Sequence, residues 1–306
     1  MRTGPTQAAG PGSGPGAGAS VPAGPADPVG PARPGFPAAR PGAAVADPAG
    51  PAFAPPDPTE VARLAAARGV VIGRIAAACA RAGRDPVTVT LVAVSKLVPA
   101  ERLRAAVAAG LDLLGENRVQ EVAAKVPLVP GARWHLVGPL QANKARRAVE
   151  TCAVIETVDS ETLAARLDRI VREVRGLPAT GPVPPDARLA VLLQVNVDRD
   201  PGKAGFAPEA VAGALATLAG LGALHLAGLM TIGRLSGTPE EARPTFRALR
   251  VLADELRVRE PALGPALSMG MSDDYEAAVE EGATIVRVGR ALFGERPAAG
   301  PGRHGG

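Results

Sequence analysis

The side chain in this 306-residue chain with the clearest potential for covalent chemistry is a lysine that ends an apolar run. Lys96 follows the segment 89–95, and the chain has only four lysines against thirty arginines. A buried lysine, unlike arginine, can lose its proton and attack a carbonyl carbon to form a Schiff base. Taken alone, a lysine at a strand end is more simply read as one whose amine extends into solvent.

Two positions near the C-terminus are together typical of a phosphate site. Ser272 precedes the helical segment 273–276 and is a candidate N-cap, beside outward-pointing backbone amides. Gly289 follows a β-branched segment and permits close approach of a ligand to the backbone. Separately, a helix cap and a turn residue are the simpler explanations. Together, after the last two strands of the pattern, they favour a bound phosphate.

A phosphate site opposite a strand-end lysine predicts a phosphorylated aldehyde held as an imine, and pyridoxal 5′-phosphate fits that description. Arg287 is then expected near the pyridine nitrogen. Because arginine keeps its proton, that nitrogen would stay unprotonated and the ring would be a weak electron sink. An alternative of nearly equal weight pairs Arg287 with Glu280 or Glu281.

The elements that must position these residues alternate between strand and helix patterns. Eight strands within about 240 residues are typical of a TIM (β/α)8 barrel of the α/β class. The rival, a doubly wound open sheet, usually carries a glycine-rich turn after its first strand, and residues 95–99 contain no glycine. The strands are predicted at 87–95, 111–114, 134–137, 154–158, 189–197, 224–230, 266–269 and 284–288.

Composition divides the chain into three parts. Residues 1–56 are almost entirely Gly, Ala and Pro with a few polar residues, which predicts a disordered N-terminal extension and not a signal peptide. Residues 57–296 form the single barrel domain, in which Asp57 and Pro58 mark the first helix start. Residues 297–306 are predicted to be a flexible tail.

Several classes of partner and location are disfavoured by the same composition. No segment approaches the roughly 20 apolar residues of a membrane span. Cys79 and Cys152 are isolated, which favours a reduced, cytoplasmic protein without disulfides or a metal site. The net charge is +4, but the arginines are dispersed among acidic residues and aromatics make up 2% of the chain. No nucleic-acid partner is therefore expected.

Six motifs occur in a fixed order, at residues 94–96, 115–121, 135–144, 228–233, 267–274 and 286–294. In order and spacing they resemble the pyridoxal phosphate homeostasis protein family, single-domain relatives of the alanine racemase barrel. The resemblance covers about residues 58–296. It implies seven cofactor-binding residues: Lys96 as the aldimine lysine, Asn117 and Met230 along the ring, Arg287 at the ring nitrogen, and Ser272, Gly289 and Arg290 at the phosphate.

The chain departs from this family at two positions. Arg290 stands where a small hydroxyl residue is usual, so that it offers a backbone amide without the hydroxyl. Arg118 stands where an aromatic residue is common. Two other polar residues have simple structural interpretations: His135 as a satisfied core histidine, and Glu116 as the partner of an arginine.

The resemblance implies a monomeric carrier that holds pyridoxal phosphate and delivers it to apoenzymes without robust turnover. The alternative is an amino-acid racemase of the same barrel type, which needs a second acid on the opposite ring face. Tyr275 is the only tyrosine in the sequence and hence the only phenol for that role. A third hypothesis is a scaffold that docks partners through the N-terminal extension.

Overall fold

The polypeptide of this computed structural model closes into a barrel of eight parallel strands. The structure describes Met1 and residues 53–233 and 238–295, so most of the predicted extension and the whole tail at 297–306 lie outside it. Each strand pairs with the next in sequence, and the last pairs with the first, which confirms the TIM barrel. The strands are β1 (Thr90–Val94), β2 (Leu113–Glu116), β3 (Arg133–Leu136), β4 (Val154–Val158), β5 (Leu189–Gln194), β6 (Leu224–Met230), β7 (Ala266–Ser268) and β8 (Ile285–Val288).

Helices lie between successive strands on the outside of the barrel. The first begins where predicted, because the Asp57 carboxylate accepts a hydrogen bond from the Thr59 amide at 2.9 Å, just before Pro58. Their bounds are α1 (Pro58–Arg81), α2 (Ala100–Ala108), α3 (Val119–Lys125), α4 (Ala145–Thr151), α5 (Glu161–Val174), α6 (Val211–Leu218), α7 (Pro239–Arg259), α8 (Tyr275–Glu280) and α9 (Arg290–Phe293).

Three strands differ from the sequence prediction by more than one residue at a boundary. The first strand starts later than residue 87, because Pro86–Thr88 form a 3-10 turn that the Asp85 carboxylate caps at the Val87 amide. The second strand is displaced by two residues and includes Glu116. The fifth ends at Gln194, where the chain turns away toward Phe206.

The barrel interior changes from apolar to polar along the strands. Alternate residues of a strand point inward, and those nearer the amino ends form one apolar cluster that includes Val92, Val154, Ala190, Ala266 and Ile285. Five of the inward positions nearer the carboxyl ends are polar, and all five are buried: His135, Glu156, Gln194, Ser268 and Arg287. Burying five polar side chains at one end costs free energy, which marks that end as the functional one.

Candidate functional site

Lys96 lies at the rim of the barrel immediately after β1. Val92 points into the barrel, so the two-residue alternation brings Lys96 to the same inward side. The side chain is half-buried, and the Val98 amide closes a turn onto the Ser95 carbonyl at 3.0 Å. Leu97 has a φ of 64°, a left-handed conformation that is strained for leucine. The backbone thus turns sharply next to the lysine, which follows β1 at the carboxyl end of the barrel.

A cluster of Ser95, Glu116 and Lys125 supports this turn on the side of the barrel that faces the helices. The Ser95 hydroxyl donates to Glu116 Oε1 at 2.8 Å, and Lys125 Nζ donates to both that carboxylate (2.5 Å) and the Ser95 carbonyl (3.0 Å). The prediction that Glu116 pairs with an arginine was wrong, because its partner is Lys125 of α3. Burial raises the pKa of Glu116, while Lys125 acts in the opposite direction. The cluster fixes the backbone next to Lys96.

The two predicted phosphate positions contact each other. The Gly289 amide donates to the Ser272 hydroxyl at 3.2 Å. Because β8 pairs directly with β1, these residues are neighbours of Lys96 around the rim instead of lying opposite it, as the sequence prediction had it. A Cβ on Gly289 would lie 3.1 Å from the Val94 carbonyl oxygen, a tight contact, so glycine suits this approach.

Ser272 is not the N-cap that the sequence suggested. Helix α8 begins at Tyr275 with Asp274 in the capping position, and the Asp274 carboxylate accepts from the Met271 amide at 2.6 Å. Ser272 instead lies in the turn before the helix. The stronger hydrogen-bond acceptor, Asp274, holds that turn, and this leaves the serine hydroxyl for Gly289.

The two residues at which the chain departs from the family that it resembles both lie at the surface. The exposed Arg290 side chain forms an ion pair with Asp273, next to Ser272. Its backbone lies at the first position of α9, directly after Gly289. Arg118 is exposed in the position before α3. Arg290 therefore adds charge close to the predicted phosphate position, and Arg118 lies at the end of β2.

Arg287 points into the barrel and not toward the glutamates offered as its alternative partners. Its Nη1 donates to the Ser268 hydroxyl at 2.6 Å and its Nη2 donates to the Thr231 carbonyl at 2.8 Å. Glu280 and Glu281 bind surface arginines on neighbouring helices, which are Arg81, Arg243 and Arg247. The alternative is thus wrong. Burial lowers the pKa of Arg287, and the nearby carboxylates of Glu156 and Asp274 act against that shift.

Glu156 is the charged residue of this end that the sequence analysis missed. It is fully buried, and its two oxygens accept hydrogen bonds from Ser268 (2.6 Å) and from His135 Nδ1 (2.7 Å). Burial raises its pKa, but the His135 hydrogen bond and the Arg287 charge outweigh burial, and the pKa is lowered. A glutamate within the apolar segment 154–158 was the available signal. His135 is the satisfied core histidine that was expected.

The two residues predicted along the cofactor ring lie at the same end of the barrel. Met230 ends β6, is fully buried and belongs to the interior apolar cluster. Asn117 follows β2 and is half-buried. A Cβ on Gly138 would lie 2.3 Å from the Asn117 carbonyl oxygen, so only glycine permits the chain after β3 to pack there.

Tyr275 lies on the outer side of the barrel wall. It is buried in the layer between strands and helices, and its hydroxyl interacts with Arg74 of α1. Burial raises the pKa of this phenol. It is therefore not presented to the mouth that carries Lys96. Within residues 53–233 and 238–295 there is also no cluster of three metal-type ligands, and no helix there is long and apolar enough to cross a membrane.

The barrel, with its polar site at the carboxyl ends of the strands, belongs to a known class of domain. The family profile of the alanine racemase N-terminal domain matches residues 65–297. The chain is 42% identical over 238 residues to the pyridoxal phosphate homeostasis protein of Pseudomonas aeruginosa, covering 76% of this chain and 95% of that protein. It is 40% identical over 234 residues to that of Aquifex aeolicus, covering 74% and 95%.

A solved structure agrees with these sequence relatives. PipY of Synechococcus elongatus, determined with pyridoxal phosphate bound, matches with 42% identity and a TM-score of 0.61, over 73% of this chain and all of that one. The chain belongs to the pyridoxal phosphate homeostasis protein family.

Proposed function

We propose that this protein binds pyridoxal 5′-phosphate at the carboxyl end of the barrel through an imine bond to Lys96. The observation that supports the proposal is the pairing of β1 with β8, because Lys96 follows β1 and Gly289, whose amide donates to the Ser272 hydroxyl, follows β8. The donor set fits the cofactor: an amine for the aldehyde, N–H and O–H groups for the phosphate, and a guanidinium for the ring nitrogen.

Each residue then has a defined task. Ser272 and the backbone amides of Gly289 and Arg290 bind the phosphate, while Asn117 and Met230 line the ring. Arg287 donates to the ring nitrogen and keeps it unprotonated. The bound cofactor supplies an electrophilic carbon and an electron sink, which an unprotonated ring weakens.

We further propose that the protein is a carrier that keeps free cofactor low and transfers it to apoenzymes, acting as a monomer in the cytoplasm. Racemisation needs a second acid at the mouth, and Tyr275, the only phenol of the sequence, faces α1. Arg287 supports the same view, because carbanion chemistry is favoured by an acidic group at the ring nitrogen. The free, buried thiols of Cys79 and Cys152 fit a reducing compartment.

The test is a titration of the full chain with pyridoxal phosphate, followed by absorbance. The wild type should develop the band of a lysine-bound cofactor, whereas Lys96→Met should not, and Lys144→Met serves as the matched lysine control. The loaded protein is then given L-alanine. Formation of D-alanine at about 1 per second or faster would identify an enzyme and contradict the carrier proposal.

A further inference from the structure

Four of the five polar residues of the barrel interior are linked by hydrogen bonds that lead from Arg287 through Ser268 to Glu156, which also accepts from His135. An ionised carboxylate can only accept, so Glu156 receives hydrogens from His135 Nδ1 and from the Ser268 hydroxyl. A serine hydroxyl has a single hydrogen, and here it goes to Glu156. The Ser268 oxygen therefore presents lone pairs to Arg287, which donates to it at 2.6 Å. The orientation of each group depends on the group before it.

This chain of hydrogen bonds fixes the plane of the Arg287 guanidinium. Nη1 bonds to Ser268 on β7 and Nη2 bonds to the Thr231 carbonyl after β6, so two bonds from two nitrogens set both its position and its rotation. A planar fork held in this way has only one direction left for its other N–H groups. Removing the Ser268 contact would free the plane to rotate about the remaining bond.

Glu156 also supplies the negative charge that stabilises the buried Arg287 guanidinium. Its Oε2 lies 3.9 Å from Arg287 Nη1, and both side chains are at most 4% exposed. A buried guanidinium without a counter-charge is strongly destabilised, and a neutral partner would not compensate it. A glutamine at position 156 would have the same shape but only one acceptor oxygen, because its other terminal atom is a donor amide. It could therefore keep the hydrogen bond from His135 or the one from Ser268, but not both.

We propose that Glu156, held by His135, is the positioning residue that aims Arg287 at the cofactor ring nitrogen and thereby keeps that nitrogen hydrogen-bonded. The proposal rests on the proposed function, because the ring is the group that Arg287 addresses. Glu156 acts through Ser268 and Arg287, from the floor of the site.

The test compares wild type with Glu156→Gln in the full chain loaded with cofactor labelled with ¹⁵N in the ring. The wild type should show an unprotonated, hydrogen-bonded ring nitrogen. In Glu156→Gln the ¹⁵N signal should move toward that of a pyridine without a hydrogen bond, and cofactor affinity should fall about tenfold. Ser268→Ala, which removes the bridge and leaves the charges, should shift the signal in the same direction and covers the case in which Glu156→Gln does not fold.

Asp168→Asn is the matched control. Asp168 is a buried acid paired with Arg172 at 2.9 Å, and it also accepts from the Ala223 amide at the amino end of β6, the far end of the barrel. This variant should lose stability and keep the wild-type ¹⁵N signal. If Glu156→Gln and Ser268→Ala likewise lost only stability, the role of Glu156 would be structural and the proposal overturned.

A double mutant separates an effect through Arg287 from a direct one. In an Arg287→Met background, Glu156→Gln should change cofactor affinity by less than about twofold, since the group it positions is gone. An undiminished tenfold effect would overturn the proposal. Failure of the proposed function looks different, because the wild type itself would then bind no cofactor.

Discussion

Two fully buried glutamates, Glu116 on β2 and Glu156 on β4, illustrate how different surroundings give the same side chain different roles. Glu116 faces the helices, bonds to Lys125 and Ser95 through Oε1, and has no hydrogen-bond partner for Oε2 within the described residues. Glu156 faces the barrel interior, and both its oxygens are satisfied.

The pKa shifts of the two carboxyls follow from this difference. Burial is the largest influence on both, yet the pKa of Glu116 is raised and that of Glu156 is lowered. The number of donors and nearby cations therefore decides the outcome, and burial does not decide it alone. Glu116 supports the backbone beside Lys96, whereas Glu156 is a fixed negative charge beneath the site.

The largest expected effect is on Glu156. Glu156→Ala leaves His135 and Ser268 without their acceptor and Arg287 without its counter-charge in a buried interior, and breaking a buried pair in this way costs about 3–5 kcal/mol. Urea denaturation of the full chain measures the loss. A change below about 1 kcal/mol would mean that the interior chain of hydrogen bonds contributes little and that the two glutamates do not differ as described.

A smaller and pH-dependent effect is expected at Glu116. Lys125→Met removes its cation, but the carboxyl can take up a proton, so we expect a loss of about 1–3 kcal/mol near neutral pH. An acid whose folded pKa is raised binds more protons in the folded state, so stability falls as pH rises above its ordinary value. The deficit of the variant should therefore grow between about pH 5 and pH 8. A deficit independent of pH would show that Glu116 stays ionised.

A third glutamate, Glu60, is partly exposed, and its pKa shift is opposite in sign to that of Glu116. Glu60 lies between Arg63 and Arg102, whose guanidinium groups lower its pKa to about 2, from 4.5, against the effect of burial. A lowered pKa gives stability that is present above the unfolded value and is lost as pH falls through the folded one.

Glu60→Gln should thus cost about 1 kcal/mol at neutral pH, a value reduced by solvent screening, and the cost should disappear as pH falls from about 4.5 toward 2. Thermal or urea unfolding across this range measures it. A cost that persisted at the acid end would assign the effect to packing of Glu60 and not to its charge. Because Arg63 and Arg102 also donate to the carbonyls of α9, the same variant reports on how firmly the segment after Gly289 is held.

The smallest effect concerns Arg104, a partly exposed cation that contacts an aromatic ring, whereas the three glutamates contact charged partners. The Arg104 guanidinium lies 4.6 Å from the centre of the Phe53 ring, and its Nε has no hydrogen-bond partner within residues 53–233 and 238–295. We expect the first 52 residues to be dispensable for cofactor binding. A chain beginning at Phe53 should therefore match the full chain in stability and absorbance.

A chain beginning at Asp57 should be less stable by about 0.5–1 kcal/mol, the usual value of an exposed cation–π contact, with unchanged cofactor absorbance. Thermal unfolding of the two shortened chains beside the full one gives both differences. A collapse already on starting at Phe53 would show that the extension packs on the barrel, and the domain boundary would then move toward the N-terminus.

The sequence predicted the barrel because its periodicity is repeated eight times, and small errors at single strands do not alter the count. The boundary errors have local causes, such as the cap that Asp85 places on a 3-10 turn before β1. The inward face was harder to predict. In strands buried on both sides, the side chains of Ile155 and Glu156 differ in direction, but the apolar pattern around them does not show which one points inward.

Contacts between distant segments account for the remaining misses. Lys125 was unremarkable as the last residue of a short helix, and its pairing with Glu116 depends on how α3 packs on β2. Ser272 was placed correctly near Gly289 but for a wrong reason, since the capping preference of Asp274 was not weighed against it. The sequence thus indicated which residues belong to the site, but their contact partners are seen only in the closed barrel.

The most direct test of the central claim is reduction of the loaded full chain with borohydride, followed by peptide mapping. The claim predicts one cofactor per chain, fixed to the peptide that contains Lys96, and no fixed cofactor in Lys96→Ala. An equal yield of fixed cofactor in Lys96→Ala, or a wild-type adduct on Lys144 or Lys203, would contradict it and place the imine elsewhere in the molecule.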